Sequence, residues 1–477
     1  MASFDHRGVV EGFYGVPWAH QDRLWLIEKI GGWGMNCYVY APKDDALNRD
    51  RWREPYRSAQ LAEFKELIGA GERVGVRVGF AISPGLSICY SDREDRDKLI
   101  RKFSDFYDMG ARMLTLALDD CPSEFEHPED SRLFESLAHA HADLARELSE
   151  RFPDATWWLV PLDYLGTEET AYLKALGAEL PSGIEVAWTG RTVVSPTIEA
   201  GEAAQRAGTL GRRLLLWDNV PVSDGPMRSM LHLGPYGGRD PGLAEHCSGV
   251  LLNPMQQARA STVAIRTAAD YFAKPAQYDP EAAWLDALRE LGAAAQDALI
   301  CFAQAHRFSP TWSDARDRGL EQGFAQLASA IEAGGDIAPA IDQLAGQLGE
   351  RSQVSAQLRA NLTDRRLCAE LEPWLESHLD QTLRMQAAVD AARALLGAGT
   401  ARERVLSYLT MQSTLASHRP SEKTSYGPRR VVYPQLAALG NDSMSFGADR
   451  ALFRGRNLAD ELVEFVEDLA VWLLGSP

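Results

Sequence analysis

The sequence predicts an α/β protein in which a (β/α)8 barrel of the TIM type is followed by an α-helical bundle domain. Short apolar segments alternate with helix-length amphipathic segments up to about residue 275, and eight such repeats match the usual length of this barrel. Beyond that point the composition becomes rich in Ala, Leu, Gln, Glu and Arg, which favours helices. We therefore expect a barrel domain over residues 1–275 and a helical domain over residues 276–477.

The eight predicted strands are apolar at most positions, as expected for parallel strands that are buried on both faces. In chain order they read GVVEGF, NCYVYA, RVGFAIS, RMLTLAL, TWWLVP, IEVAWT, RRLLLWDN and SGVLLNP. An open, doubly wound sheet is the competing architecture. It is less favoured because no glycine-rich phosphate-binding pattern follows the first predicted strand.

Capping patterns mark several predicted helix starts. Ser91 and Glu94 have the spacing of a capping box, and Ser195 is followed by a proline. Asp279, also followed by a proline, marks the start of the helical domain. Within that domain the segment 417–447 is rich in helix breakers, which predicts an excursion between helices. A plain surface loop and the lining of a substrate groove are both open interpretations of this excursion.

Composition and charge exclude several classes of protein. The chain has 477 residues and a formal net charge of −18, which disfavours nucleic-acid binding and attraction to anionic membranes. The N-terminus has no signal-peptide pattern, and no apolar run is long enough for a spanning helix. None of the 6 cysteines lies in a C-x-x-C pair or beside a histidine at metal-ligand spacing. We expect a cytoplasmic protein with reduced thiols and no metal.

Polar and aromatic residues are concentrated where the predicted strands end. Because the carboxyl ends of barrel strands meet at one face, these residues are expected to share one site. The ends read EGFYG, YAPKDD, SPG, DDCP, PLDY, WTG, WDN and NP. This pattern predicts a single polar pocket with aromatic walls.

Two adjacent carboxylates, Asp119 and Asp120, end the fourth predicted strand. Thr115 and Ala117 share the side of the strand on which Asp119 lies, so we expect Asp119 at the barrel mouth and Asp120 where the backbone turns. Two neighbouring carboxylates do not both ionise cheaply, and one is therefore expected to hold a proton near neutral pH. A simple turn or helix cap is the plainer interpretation, and the surrounding strand ends weigh against it.

Adjacent carboxylates suit one kind of glycosidase chemistry better than others. Most glycosidases hold two carboxylates about 5 Å or more apart on opposite sides of the scissile bond. In the substrate-assisted exception, the sugar's own 2-acetamido oxygen attacks the anomeric carbon. One carboxylate would then polarise the acetamido N–H, and the other would protonate the leaving oxygen and later activate water.

Nine motifs, in order, resemble the catalytic domain of glycoside hydrolase family 84, the family of O-GlcNAcases and bacterial β-N-acetylglucosaminidases. They are GVVEGFYGVPW, YVYAPKDD, WREPY, AISPGL, LALDDC, EVAWTG, LLLWDN, LGPYGGR and GVLLNP. The resemblance covers residues 7–270. Beyond it, the helical region is similar to the family's downstream bundle mainly in character.

The resemblance implies a set of site residues. Asp119 is similar to the family's acetamido-polarising carboxylate, and Asp120 to its general acid/base. Lys43 would supply a cationic donor to the sugar, and Tyr164 would hydrogen-bond the acetamido oxygen. The other implied sugar contacts are the backbone of Gly12, the indole of Trp217 as a wall of the acetamido pocket, Asn219, Asp224 at the far end of the pyranose, and Asn253.

These features predict a retaining exo-β-N-acetylglucosaminidase that works through an oxazoline intermediate without metal or cofactor. Its expected substrates are terminal β-linked N-acetylglucosaminides, including O-GlcNAc on Ser and Thr of proteins or peptides. The alternatives are an endo-acting hyaluronidase-type N-acetylhexosaminidase, a non-catalytic sugar-binding scaffold, and a metal-dependent carboxylate hydrolase. We expect no nucleic-acid or membrane partner, and the helical domain could form a homodimer.

Overall fold

A computed structural model of the protein describes residues 3–312, 317–333, 335–397, 400–418 and 458–475. Eight parallel strands close into a barrel in chain order, which confirms the predicted fold class. The strands are β1 His6–Glu11, β2 Cys37–Tyr40, β3 Arg77–Ile82, β4 Met113–Ala117, β5 Thr156–Val160, β6 Ile184–Trp188, β7 Leu214–Asp218 and β8 Cys247–Leu252.

The pairing of β1 shows how the barrel closes. Gly8 pairs with Cys37 of β2 on one side and with Leu251 of β8 on the other, so the sheet has no edge at this strand. A Cβ atom on Gly8 would lie 1.9 Å from the Cys37 carbonyl oxygen, which explains the glycine at this close approach. A closed ring of paired strands is incompatible with the competing open sheet.

The helices that follow the barrel strands alternate with them as predicted. They are α1 His20–Gly32, α2 Ser58–Val74, α3 Arg93–Asp108, the short α4 Asp130–Leu133, α5 Leu137–Arg151, α6 Ala171–Glu179, α7 Ala200–Leu210 and α8 Thr262–Ala273. Further helices are α9 Pro280–Gly292, α10 Gln296–Ala305, α11 Arg318–Glu332, α12 Ala338–Asn361, α13 Arg365–Gly397, α14 Ala401–Ser417 and α15 Leu458–Gly475. No helix in these described ranges is long and apolar enough to cross a membrane.

One predicted helix start is confirmed and two are wrong. Asp279 caps α9 by accepting hydrogen bonds from the backbone amides of Glu281 and Ala282, at 3.0 and 3.2 Å. Helix α3 is capped by Asp92 rather than Ser91, because the longer carboxylate side chain reaches the amides of Glu94 and Asp95.

Ser195 does not cap a helix. Its hydroxyl closes the turn after β6 by donating to Thr189 O at 3.0 Å. Helix α7 instead begins after Glu199, whose side chain forms a capping box with Glu202.

The described residues divide into two compact units. The first comprises residues 3–225 and 236–283 and contains the barrel. The second comprises residues 226–235 and the described residues from 284 onward. The domain limit expected at residue 275 stays a prediction. The part of the breaker-rich excursion from residue 419 to 447 lies outside the described residues.

The core of the second unit is an apolar seam between helices, as the helical spacing of its apolar residues predicts. Leu344 and Leu348 of α12, Met385 and Val389 of α13, and Val466 of α15 are all buried in it. These helices have no strand to pack against within the described part of the unit, so their apolar stripes cover one another.

Buried ion pairs hold the carboxyl ends of strands β1 and β7, which flank the site. The Glu11 carboxylate accepts from Arg23 Nε at 2.7 Å and Nη2 at 2.9 Å, and also from the Tyr38 hydroxyl. At the end of β7, Asp218 is paired with Arg239 and accepts from the Tyr236 hydroxyl at 2.7 Å. Removing one partner of such a pair is strongly destabilising, so these acids act as anchors for the loops that follow.

Candidate active site

The structure brings the predicted site residues together at the carboxyl-terminal face of the barrel. All lie at the end of a strand or in the loop that follows it, where parallel strands present their side chains and loops to one face. Gly12 follows β1, Lys43 follows β2, Asp119 and Asp120 follow β4, Tyr164 follows β5, Trp217 lies in β7 with Asn219 and Asp224 after it, and Asn253 follows β8.

Asp119 is a buried carboxylate with two different oxygens. Oδ2 accepts a hydrogen bond from Lys43 Nζ, and both side chains are buried. Oδ1 is buried and has no hydrogen-bond partner among the described residues. A buried acceptor without a donor is unfavourable, so this oxygen is poised to accept a hydrogen bond from a ligand N–H or O–H.

Asp120 lies where the backbone turns sharply out of β4. Its φ is +49°, in the left-handed region that Asp adopts more readily than most residues. The carboxylate accepts from Tyr14 Oη at 2.7 Å and from Tyr164 Oη at 3.0 Å. Arg49 supports this arrangement by donating to Tyr14 Oη at 2.7 Å and to the Asp120 carbonyl oxygen at 3.0 Å.

These contacts set the charge of Asp120. Burial raises its pKa, but the Lys43 charge, the hydrogen bonds from Tyr14 and Tyr164, and the Arg49 charge together outweigh burial and hold the pKa below its ordinary value. With these partners Asp120 is ionised at neutral pH in the absence of substrate. Burial and the Asp120 charge raise the pKa of both tyrosines, which keeps them protonated as donors.

Gly12, Trp217 and two asparagines form the other side of the site. A Cβ on Gly12 would lie 2.3 Å from Trp217 Cζ2, so only glycine allows the indole to pack here. Gly12 N donates to Asn253 Oδ1 at 3.2 Å, and Asn253 Nδ2 donates to Asn219 Oδ1 at 2.8 Å. Asn219 Nδ2 in turn donates to Val193 O at 2.6 Å, which fixes the orientation of both amides.

Asp224, in the loop after β7, is hydrogen-bonded to Tyr14, which also contacts Asp120. Its Oδ2 accepts from Tyr14 N at 2.9 Å. Burial, together with the negative charges of Asp120 and Asp44, raises the pKa of the Asp224 carboxyl. Tyr14 thus contacts two carboxylates at once, one through its hydroxyl and one through its backbone.

Comparison with known proteins places the chain in a family. The model of the beta-N-acetylglucosaminidase family matches residues 7–304. The chain belongs to this family, glycoside hydrolase family 84. The resemblance read from the nine sequence motifs is therefore confirmed.

Relatives of this family 84 chain include the protein O-GlcNAcases of Rattus norvegicus and Mus musculus. Each is 35% identical to it over 272 residues, which cover 56% of this chain and 30% of the relative. The chain thus spans under a third of the length of these curated relatives.

Two solved structures are similar over most of the family 84 chain. A mutant O-GlcNAc hydrolase of Thermobaculum terrenum has a TM-score of 0.83 and 30% identity, covering 99% of this chain and 94% of that one. The structure of CpGH84B has a TM-score of 0.79 and 28% identity, covering 89% of this chain and 75% of that one.

Tyr14 and Arg49 are site residues of this family 84 chain that the sequence alone did not identify. Tyr14 lies in the EGFYG motif, but its hydroxyl partner is 106 residues away in the chain. Arg49 contacts the Asp120 backbone across 71 residues. Only the position of EGFYG at a strand end could have suggested a role for Tyr14, and no local pattern identifies Arg49.

Proposed function

We propose that this protein is a retaining exo-β-N-acetylglucosaminidase of the O-GlcNAcase type that uses the acetamido group of its own substrate as the nucleophile. The observation that carries this proposal is the Asp119 carboxylate, with Lys43 on one oxygen and no described partner on the other. An acetamido N–H would satisfy that second oxygen. The hydrogen bond would make the acetamido carbonyl oxygen a better nucleophile.

In the first proposed step, the acetamido oxygen attacks the anomeric carbon as the glycosidic C–O bond breaks. Asp120, protonated in the enzyme–substrate complex, gives its proton to the leaving oxygen. The sugar becomes an oxazolinium ion, and Asp119 stabilises its N–H. Tyr164, which lies beside Asp120, would donate its hydroxyl hydrogen to the acetamido oxygen and aim it at the anomeric carbon.

In the second proposed step, water attacks the anomeric carbon and opens the oxazolinium ring. Asp120, now a carboxylate, takes a proton from that water, and the C–O bond to the acetamido oxygen breaks. The sugar leaves with its acetamido group restored. Each step inverts the anomeric carbon, so two steps together retain its configuration.

The remaining site residues would bind the sugar ring. Trp217, packed on Gly12, forms a flat apolar wall suited to the acetamido methyl group. Asn219 and Asn253, oriented by their mutual hydrogen bond, and the Asp224 carboxylate offer acceptors and donors for ring hydroxyls.

Substrate binding must change the protonation of Asp120. If Tyr164 turns its hydroxyl to the acetamido oxygen, Asp120 loses one of the hydrogen bonds that favour its ionised form. Entry of the sugar also excludes water, which raises a carboxyl pKa further. Both effects favour the protonated acid in the complex, where the first step needs it.

Tyr14→Phe is expected to move the alkaline limb of the kcat/KM profile to higher pH. The Tyr14 hydroxyl stabilises ionised Asp120, so its removal raises the Asp120 pKa in the free enzyme. A general acid acts only when protonated, and activity should therefore persist to higher pH. The measurement is a pH profile of kcat/KM for both proteins.

Tyr107→Phe is the matched control for Tyr14→Phe, because Tyr107 also donates its hydroxyl hydrogen to a carboxylate, that of Asp154, at 3.2 Å. Its profile should match that of the unmodified protein. A limb that stays in place in Tyr14→Phe, or moves to lower pH, would contradict the role given to Tyr14.

We infer the substrate class from the relatives. The rat and mouse relatives are named protein O-GlcNAcases, and the Thermobaculum terrenum structure is named an O-GlcNAc hydrolase. Terminal O-GlcNAc on Ser or Thr of peptides and proteins is accordingly the proposed substrate. The cytoplasmic location and the homodimer expected from the sequence stay predictions.

Products of hydrolysis test the proposal. Proton NMR during cleavage of an aryl N-acetyl-β-glucosaminide should show the β anomer of free N-acetylglucosamine first, with the α anomer appearing only by mutarotation. Release of the α anomer first would contradict a retaining mechanism. Oligosaccharide products from hyaluronan would support the endo-acting alternative, and no turnover of any substrate would support a sugar-binding scaffold.

A further inference from the structure

Three side chains of the types that bind transition metals converge outside the proposed catalytic site. Donor atoms of Cys89, His127 and Glu129 all lie within 4.8 Å of one another. Cys89 lies in the loop between β3 and α3, and the other two lie in the loop between β4 and α4. No sequence spacing reveals the cluster, because the fold brings the two loops together.

We propose that this cluster is a binding site for a divalent transition-metal cation, Zn²⁺ in particular. A thiolate, an imidazole and a carboxylate are the three ligand types that Zn²⁺ takes from proteins, and three protein ligands leave a fourth position for water. Mg²⁺ and Ca²⁺ prefer ligand sets made of oxygen, so the thiol selects against them. The site does not depend on the function proposed above.

The electrostatic surroundings favour a cation. The cluster borders an open cavity of about 710 Å³, into which carboxylates from Asp92, Asp95 and Glu129 face together with the guanidinium groups of Arg53 and Arg132. The positive charge of Arg53 is already paired with Asp95, because Arg53 Nε donates to Asp95 Oδ1 at 2.5 Å.

A further carboxylate lies close to the thiol. Asp130 Oδ1 is 3.5 Å from Cys89 Sγ. Acidic groups therefore outnumber basic ones around the three ligands.

Hydrogen bonds hold the proposed ligands in place. Cys89 N donates to Asp95 Oδ2 at 3.0 Å. Asp130, which is buried, accepts from Tyr90 N at 2.9 Å and Ser91 N at 2.6 Å. Asp130 directly follows Glu129, so these bonds fasten the two loops to each other beside the ligands.

The histidine ligand also has a supporting contact. His127 Nε2 lies 3.4 Å from Ser87 O. In the tautomer that donates from Nε2 to this carbonyl, Nδ1 carries the lone pair that binds a cation. A backbone carbonyl in this supporting position is the common arrangement around metal-binding histidines.

Binding requires one proton to leave. On binding, the S–H bond breaks, the proton goes to solvent, and a sulfur–zinc bond forms. Each bound ion should therefore release one proton to solvent.

The site would act on the loop that carries the catalytic pair. The chain segment 119–129 begins with the catalytic pair Asp119 and Asp120 and contains the proposed ligands His127 and Glu129 near its end. A bound cation would tie that segment to the β3 loop and restrict its motion.

Cobalt titration of the full chain, first stripped with a chelator, tests the site. We expect Co²⁺ to produce a thiolate charge-transfer band and the visible bands of a tetrahedral ion, saturating at one ion per chain, with Zn²⁺ displacing it. Cys89→Ser should abolish the charge-transfer band. His127→Gln and Glu129→Gln should each weaken binding by roughly 100-fold, at least as much as the loss of a supporting residue.

Two variants serve as controls. Cys121→Ser changes another half-buried thiol, in the β4–α4 loop that also carries His127 and Glu129, whose Sγ donates to Leu118 O at 3.0 Å. His139→Gln changes a histidine that contacts Ser136 at 2.9 Å and lies outside the cluster. Both should bind Co²⁺ as the unmodified protein does.

Other outcomes would overturn the proposal. These are no band in the unmodified protein, a band that survives Cys89→Ser, or a band lost in Cys121→Ser. Glu129 is exposed, so Glu129→Gln should fold normally, and a thermal melt of the chelated variant checks this. Unchanged Co²⁺ affinity in correctly folded Glu129→Gln would remove this residue from the ligand set and overturn the site as proposed.

Discussion

Asp120→Asn is expected to lower kcat/KM on an O-GlcNAc glycopeptide by about 10²- to 10⁴-fold, the usual contribution of general acid catalysis. On a nitrophenyl N-acetyl-β-glucosaminide the loss should be far smaller, because nitrophenolate departs without protonation. The expected result is therefore a leaving-group dependence and not simply a loss of activity. The measurement is kcat/KM over a series of aryl glycosides and one glycopeptide.

The geometry around Asp120 allows Asn to replace Asp without disturbing the local structure. Asn tolerates the left-handed backbone conformation at φ +49° about as well as Asp does. The amide oxygen can still accept a hydrogen bond from Tyr14 or Tyr164. The variant therefore keeps the local structure but loses the ability of the carboxyl group to give and take a proton.

Asp163→Asn is the matched control for the leaving-group test. Asp163 follows β5 at the same face of the barrel and accepts from Thr170 Oγ1 at 2.5 Å, and we give it no role in proton transfer. Any loss in Asp163→Asn should be equal across the series. Equal losses across the series in Asp120→Asn would refute its role as the acid.

The barrel was predictable from sequence because its signals are local. Each strand, such as β4 at Met113–Ala117, is a short buried apolar run between helix-length segments. Helix starts were less predictable, because several polar residues near each start could serve as the cap. Asp92 caps α3 in place of Ser91 because its side chain is longer, and the Ser195 hydroxyl closes a turn and does not cap a helix.

The location of the site was predictable, but its charges were not. Strand-end motifs identify Asp119, Asp120 and Tyr164 and place them at one face of the barrel. The protonation of Asp120 depends on Tyr14 and Arg49, which reach it from distant parts of the chain. A sequence pattern for adjacent acids predicts that one is protonated, but it does not show which one, because the tyrosines and cations that favour ionised Asp120 come from other parts of the chain.

The same strand-end motifs also contain acids with no catalytic part. Glu11 in EGFYG and Asp218 in WDN are as buried as Asp119, but arginines neutralise them on both oxygens. Asp119 differs because a single lysine contacts one oxygen and leaves the other to a ligand. The donors around each carboxylate, which only the fold supplies, separate Asp119 from these two structural acids.

Hydrolysis of an aryl N-acetyl-β-glucosaminide should exceed that of the matching β-glucoside by more than roughly 1000-fold, or about 4 kcal/mol in transition-state free energy. The two substrates differ only at the second carbon of the sugar. The glucoside lacks both the acetamido nucleophile and the acetamido N–H proposed to donate to Asp119 Oδ1. The measurement is the ratio of the two kcat/KM values.

Asp119→Asn shows whether this ratio arises from the proposed contact. The variant replaces an anionic acceptor with a neutral amide, so it should slow the N-acetyl substrate strongly and leave the glucoside nearly unchanged. The ratio should then fall, whereas Asp163→Asn should preserve it. If the unmodified protein hydrolysed both substrates at comparable rates, an enzyme carboxylate would have to be the nucleophile, and Asp119 would be the first candidate because it lies buried at the barrel mouth with one oxygen still available.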